Sequence, residues 1–437
     1  MAWQWLLIII FGCLIILMAT GMPIAFSFMI LNVIGVYLFF GGTVGLEQMI
    51  LSIYSSLCTF ILLPIPLFIL MGELLLHSGV AMDMMDALER WMGRLPGRLA
   101  VLSVATGTVF AALTGSSMSS AAMLGQILVP EMEKRGYKKT MSLGPIMGSG
   151  GLAIMIPPSG LAVLLCVIGE ISIGKILVAI PFPGVLLAAL MAAYIIIRCK
   201  LQPFLAPSYE IAKVSLSVKL AGTLKFILPV GFIIFLVIGL IFLGVADPSE
   251  SAATGTLGMF IVVLLYRRLN WAVIKKSVRG TISITGMVFL IIAGAKTFGE
   301  ILSFSGATRG LSEIATQLPL PPILIMVAMQ IVILIMGCFM DVVAIMMITL
   351  PIFVPVITKL GLDTVWFGAI ALLNIELAMI TPPFGMVLFV MKGVAPAGTT
   401  MEDVYKAAYP IVMLNLIAMA LMIAFPAIVL WPIWLMR

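Results

Sequence analysis

Residues 151–160 read Gly151-Leu152-Ala153-Ile154-Met155-Ile156-Pro157-Pro158-Ser159-Gly160, and residues 376–385 read Glu376-Leu377-Ala378-Met379-Ile380-Thr381-Pro382-Pro383-Phe384-Gly385. The two stretches align at a spacing of 225 residues, and at that spacing Pro130 falls on Pro355 and Gly136 on Gly361. With a slip of two residues, Gly72-Glu73 and Ser78-Gly79 fall on Gly299-Glu300 and Ser305-Gly306. Matches in one order with small gaps define an internal duplication. It divides the chain into N-terminal scaffold spans (1–50), a first repeat (51–200), a connecting amphipathic segment with a scaffold hairpin (201–280) and a second repeat (281–437).

Around these repeats the chain is built for lipid. Of its 437 residues 63% are hydrophobic and 10% charged, against about 25% charged in soluble domains. Arg90, Arg94 and Arg98 form one basic loop, and Lys134, Arg135, Lys138 and Lys139 a second. A third runs from Arg198 and Lys200 through Lys213, Lys219 and Lys225, and a fourth holds Arg267, Arg268, Lys275, Lys276 and Arg279. Short basic loops between apolar stretches follow the positive-inside rule, so all four are assigned to the cytoplasm and the net charge of +6 implies no nucleic-acid partner. The turn Asp247-Pro248-Ser249-Glu250 carries acids and no base, and is assigned outside. Met1 to Phe40 lacks the basic start and small-residue cleavage site of a secretory signal and reads as two retained spans meeting near Gly21-Met22-Pro23. The five cysteines are scattered without metal-ligand spacing.

The repeats run in opposite directions. The segment ending near His77 delivers the chain to the cytoplasmic loop at Arg90, whereas its counterpart Ile282 to Ser303 leaves the cytoplasmic loop at Arg279 and must end outside. Inverted-topology repeats are a device of secondary transporters.

Two features break the membrane pattern in each repeat. Between Arg98 and Glu131 lie 32 uncharged residues, too many for one crossing of about 20 residues and too few for two. A re-entrant hairpin near 98–131 fits, with Leu113-Thr114-Gly115-Ser116-Ser117-Met118-Ser119-Ser120 at its tip. The alternative is a helix contact of small residues whose hydroxyls bond their own backbone. The second hairpin, near 323–358, carries Gly337-Cys338-Phe339-Met340-Asp341; a charge at that depth marks a functional site or a helix N-cap. Each hairpin precedes a broken helix. The first, 140–169, is interrupted at Gly148-Ser149-Gly150-Gly151 and Pro157-Pro158, and the second, 364–391, at Asn374-Ile375-Glu376 and Thr381-Pro382-Pro383, before a terminal span. Adjacent prolines remove backbone donors, and the carbonyls they free at membrane depth suit a dehydrated cation. Glu300 lies four residues after Lys296, a spacing that favours an ion pair on one helix, and the single histidine, His77, lies one turn after Glu73.

At these motifs the chain resembles the large membrane subunit of the tripartite ATP-independent periplasmic (TRAP) transporters of bacteria and archaea. The resemblance covers nearly the whole length. It rests on Leu113 to Ser117 with Ala121-Ala122, Met155 to Ser159 with Glu170 to Lys175, Asp247 to Ala253, Gly337 to Asp341, and Thr381 to Gly385 with Leu388-Phe389-Val390. It implies an all-α polytopic protein of the inner membrane, with inverted repeats, re-entrant hairpins and broken transmembrane helices. It further implies Na+-coupled import of small organic acids by an elevator motion, substrate delivery by a periplasmic binding protein, and a small four-span membrane subunit as partner. Carried over by motif, the Na+ ligands are Gly115, Ser116, Ser117, Ser149 and Gly150 in the first repeat and Gly337, Asp341, Asn374 and Thr381 in the second. Thr114, Ser119, Pro157, Pro158, Pro382 and Pro383 are the matching substrate-binding positions. Gly160 and Phe384 stand where the family pattern has branched aliphatic residues, which bears on substrate choice. A self-sufficient Na+/carboxylate symporter of the same architecture is the rival reading. An enzyme lacks support in a chain with one histidine and no nucleophile-base constellation, and no GxxxxGK[ST] loop marks an ATPase.

In a cysteine-free background, cysteines placed at Ser249 and Gln317 are expected to react with an impermeant maleimide from outside, and those at Arg94 and Lys276 only from inside. Labelling of positions 94 and 317 from one side would contradict the inversion.

Overall fold

The computed structural model describes residues 3–436 other than 94, 115, 116, 208–214, 338, 339 and 384, with backbone alone at 111–114 and 119. Among the described residues all regular structure is helical. By length and composition, seven helices are able to cross a bilayer: Phe60–Ser78, Ile173–Leu201, Leu216–Phe242, Pro248–Leu265, Trp271–Phe304, Val342–Lys359 and Met401–Ala424. Shorter apolar helices, among them Trp3–Ala19 and Ile24–Phe39 with their break at Gly21 to Pro23, complete the set. Ile16, Leu51 and Phe235 are among many large apolar side chains left exposed. A continuous apolar surface of that kind requires hydrocarbon around it. The protein is therefore a multi-pass membrane protein.

The duplication is visible at matching corners. Gly79 and Gly306 both adopt left-handed backbone, with φ of 74° and 76°. Before them, the Ser78 hydroxyl donates to the Leu75 carbonyl at 3.0 Å and the Ser305 hydroxyl to the Leu302 carbonyl at 2.9 Å. After them run the amphipathic helices Val80–Trp91 and Ala307–Gln317. Next come the hairpins, Arg98–Thr114 with Ser117–Lys134 and Pro322–Gly337 with Val342–Lys359. The two ends of the first hairpin meet where the Leu99 amide donates to the Tyr137 hydroxyl at 3.4 Å, so the chain returns to the face it left. The broken helices are Lys139–Gly150 with Gly160–Gly169, and Thr364–Met379 with Met386–Val394. Pro157-Pro158 and Pro382-Pro383, between their halves, are both cis.

The inversion is fixed by one long helix. Trp271–Phe304 has 34 residues, about 50 Å at 1.5 Å per residue. At its start, Arg268 pairs with Asp83 at 2.7 Å and donates to the Ser78 carbonyl at 3.3 Å, holding the first corner at the basic loop. At its far end stands the second corner, Ser305-Gly306. Equivalent corners thus occupy opposite faces.

Two groups of helices follow. Trp271–Phe304 packs with Ile24–Phe39, Thr43–Leu57 and Pro64–Ser78, and Pro64–Ser78 with Pro248–Leu265. The hairpins pack on the broken helices, and Lys139–Gly150 also on Met401–Ala424. Every residue of Val365 to Met379 and of Met141 to Gly150 is buried. Helices buried on all sides belong at the centre of the molecule. Two expected interruptions are absent: Gly148 to Gly150 and Asn374 to Glu376 lie within intact helices, and the breaks begin only at Gly151 and Ile380. The glycines serve close approach instead. A Cβ at Gly148 falls 2.6 Å from the Ile411 side chain, and one at Gly144 falls 2.7 Å from the Ala407 carbonyl oxygen. The acids of the 247–250 turn form a capping box, with the Asp247 side chain accepting from the Glu250 amide at 2.8 Å and the Glu250 side chain accepting from the Asp247 amide at 3.0 Å.

Gly79→Ala and Gly306→Ala force a side chain into left-handed backbone, and each is expected to cost about 1–2 kcal/mol. Gly231→Ala, in a helix with open space around it, is neutral or slightly stabilising. Thermal unfolding of the purified protein, read by tryptophan fluorescence, should place the first two midpoints below wild type and the third at or above it.

Candidate cation and substrate site

Each hairpin tip lies against the broken helix of its own repeat, and small residues allow the approach. In the first repeat Ser117 opens the second arm and is buried. A Cβ at Gly150 would stand 2.9 Å from the Ser117 carbonyl oxygen, so only glycine admits the tip at this distance. Ser149, also buried, donates to the Ile146 carbonyl at 2.9 Å, and its hydroxyl occupies the space above Gly107, where a Cβ would lie 2.1 Å away. Ser117, Ser149 and Gly150 are thus gathered at one place, and Gly107 joins them without having been singled out in the sequence. Gly115 and Ser116 lie outside the described residues, and the side chains of Thr114 and Ser119 are likewise not described.

In the second repeat Gly337 closes the first arm against Ala378, whose Cβ would be 1.9 Å from a Cβ at 337. Asn374 lies one turn before Ala378 and Thr381 nearly one turn after it. The Asn374 amide donates to the backbone carbonyl and the side-chain oxygen of Gln330 at 2.6 and 2.9 Å. The Thr381 hydroxyl donates to the Leu377 carbonyl at 2.7 Å. Asp341 is half-buried and caps its helix, one oxygen accepting from the Ala344 amide at 2.7 Å. The proline pairs are not placed alike: Pro157 and Pro158 are buried, Pro382 is half-buried and Pro383 exposed.

The sequence reading missed Glu376 as a site residue. It is 1% exposed, and neither carboxylate oxygen completes a hydrogen bond of ordinary geometry among the described residues. The Asn374 side-chain oxygen is likewise buried without a donor. Buried acceptors lacking donors are costly, and a hard cation satisfies them with oxygen ligands such as those gathered here. No cluster of three His, Cys, Asp or Glu occurs among the described residues, so nothing there favours a transition metal. The C-terminal ends of Lys139–Gly150 and Thr364–Met379 stop at the breaks, where their dipoles are negative. The Ser159 hydroxyl accepts from the Ala162 amide at 3.2 Å and caps the next half-helix, whose positive end suits an anion.

A cavity of about 1370 Å³ opens between Trp271–Phe304 and the helices Gly160–Gly169 and Val342–Lys359. Among the described residues, none of those assigned to cations lines it. Lys296 and Glu170 pair across it at 2.9 Å. The expected Lys296–Glu300 pair is therefore not made; Glu300 accepts from the Ser52 hydroxyl at 2.6 Å instead. Glu73 meets His77 at 3.1 Å.

Inverted repeats with re-entrant hairpins and paired helix breaks define the class: a membrane transporter. Residues 11–428 match the family described as tripartite ATP-independent periplasmic transporter, DctM component, and the chain belongs to that family, as a large permease subunit. It is 32% identical over 397 residues to the C4-dicarboxylate TRAP transporter large permease protein DctM of Pseudomonas aeruginosa, covering 90% of each chain. To the protein of the same description from Rhodobacter capsulatus it is 31% identical over 436 residues, covering 96% of this chain and 97% of that one. The fold is similar to the solved YdaH transporter of Alcanivorax borkumensis, with a TM-score of 0.62 over 90% of each chain at 15% identity, a likeness of fold alone.

Gly337→Ala should drive the second tip off its broken helix and lower thermal stability by about 1–3 kcal/mol, the usual cost of overpacking. Ala378→Gly in the same chain removes the opposing methyl and is expected to restore much of the loss. A double-mutant cycle on the unfolding midpoint checks the pairing.

Proposed function

We propose that the chain drives the import of small organic acids with a Na+ gradient. Substrate reaches it from a periplasmic binding protein, and it works with a small four-span membrane subunit in the inner membrane. The observation that carries this reading is a pair of buried side chains on Thr364–Met379, Asn374 and Glu376, whose oxygens lack hydrogen bonds among the described residues just before a helix break. Family membership supports the partners, and the names of the relatives support C4-dicarboxylates as the first substrates to test.

In this reading, hydroxyl and carbonyl oxygens at Gly115, Ser116, Ser117, Ser149 and Gly150 take one Na+, and Gly337, Asp341, Asn374 and Thr381 take another. The anionic substrate lies beside them against positive half-helix ends, near Thr114, Ser119 and the two proline pairs. Bound Na+ lowers the electrostatic cost of bringing a carboxylate to membrane depth. The hairpins and broken helices move as one block against the helices packed on Trp271–Phe304. The cavity between these groups, crossed by a half-exposed ion pair, supports such a division.

The test is Na+-driven uptake of a labelled C4-dicarboxylate in proteoliposomes, with and without the small subunit and the binding protein. Uptake that needs all three and collapses without a Na+ gradient is expected; full uptake by the large subunit alone would favour a self-sufficient symporter. Ser117→Ala should raise the Na+ concentration for half-maximal uptake by roughly 5- to 150-fold, the equivalent of about 1–3 kcal/mol for one lost oxygen ligand. Asp341→Asn keeps an equally good cap but removes the charge, so the variant should fold and lose uptake at low Na+. Normal Na+ dependence in that variant would leave Asp341 as a cap only.

A further inference from the structure

We propose that Glu376, contributed by the second repeat, is the carboxylate of the cation site in the first repeat. The inference rests on the Na+ reading above and assigns a ligand that the motifs did not supply.

The argument begins with the alignment. At the spacing of 225 residues the counterpart of Glu376 is Gly151. These two counterparts touch: a Cβ at Gly151 would lie 3.1 Å from the Glu376 Cγ and 3.7 Å from its Oε1. Equivalent positions of two repeats meet only where the axis relating them passes, so this contact marks the pseudo-twofold axis. A second glutamate has no space there, and two carboxylates in contact would repel. Glycine at 151 is the residue that makes room for one.

The helix carrying Glu376 serves both halves. Residues two apart on a helix point to different sides. Asn374 faces Gln330 on the hairpin of its own repeat. Glu376 faces Gly151 and lies near the Ser117 hydroxyl of the other hairpin. Ser117 in turn lies on Gly150. The carboxylate therefore sits beside Ser117 and next to Gly150, two of the residues assigned to the first cation.

Charge supplies the second half of the argument. The hydroxyl and carbonyl groups of the first site are neutral, whereas the second site has Asp341. No ion pair involves Glu376 among the described residues. A carboxylate taken out of water without a countercharge is strongly disfavoured. A Na+ held between Glu376, the Ser117 oxygens and the Gly150 region supplies that countercharge, and each repeat then has one acid per cation.

The experiment uses the purified complex of the large and small subunits. Its thermal midpoint is followed against NaCl, with choline chloride holding ionic strength constant. Wild type should show a saturable, Na+-specific rise, and Glu376→Gln, which keeps the shape, should need at least tenfold more Na+ for the same rise. Absence of a Na+-specific rise in wild type would overturn the Na+ reading itself. A wild-type rise reproduced unchanged in Glu376→Gln would overturn only the present assignment, leaving a buried acid with no part in cation binding. Should the Gln variant not fold, Gly151→Ala presses a methyl on the carboxylate stem and is expected to raise the Na+ requirement severalfold; an unchanged requirement would also overturn the assignment.

Discussion

A helix that stops inside a bilayer leaves amide and carbonyl groups with no water to meet them, and protein must cover what the helix no longer satisfies. That constraint explains why each helix break has a hairpin tip laid against it. The covering depends on contacts at backbone distance. Gly150 under the Ser117 carbonyl and Gly337 against Ala378 are positions where one added methyl would separate tip from break. The first half of each broken helix, Met141 to Gly150 and Val365 to Met379, is buried throughout, packed by its hairpin and by Met401–Ala424. The polar site is therefore a product of the covering: oxygens brought together to protect the backbone are the oxygens available to a cation.

The sequence discloses this plan wherever a local rule acts. Pro157-Pro158 and Pro382-Pro383 end helices whatever surrounds them, and Ser78-Gly79 and Ser305-Gly306 end helices through left-handed backbone. Their spacings, equal to within two residues, made the duplication visible, and the basic loops gave its inversion. Readings that needed a tertiary partner fared differently. Glycines at 148 and 150 suggest a broken helix, yet Ile411 and Ser117 pack into the space they leave and the helix continues. Lys296 and Glu300 have a pairing spacing, but Glu170 and Ser52 compete for them across the fold and win. Glu376 carries the same local mark as Asp341, an acid in an apolar stretch, but its setting against a glycine of the other repeat is a tertiary fact that no local pattern discloses.

The cavity beside Lys296 and Glu170 lies between the outer and inner helices. An exposed ion pair of this kind is worth about 0–1 kcal/mol, far less than the apolar packing within either group. The cavity between the two groups is lined by apolar side chains together with the hydroxyls of Ser55, Ser56 and Thr59 and this ion pair.

The contact of Gly151 with Glu376 also bears on how two inverted halves can share one function. Were the halves separate, identical chains, the axis would place the same residue against itself, giving two facing glutamates or two facing glycines. The first is excluded by crowding and repulsion, and the second carries no charge. Joining the halves in one polypeptide releases them from that symmetry at its most restrictive point, and allows one copy to become the space into which the other fits. The fused chain can thus hold a lone acid on its own dyad, which a strict homodimer of the same fold cannot.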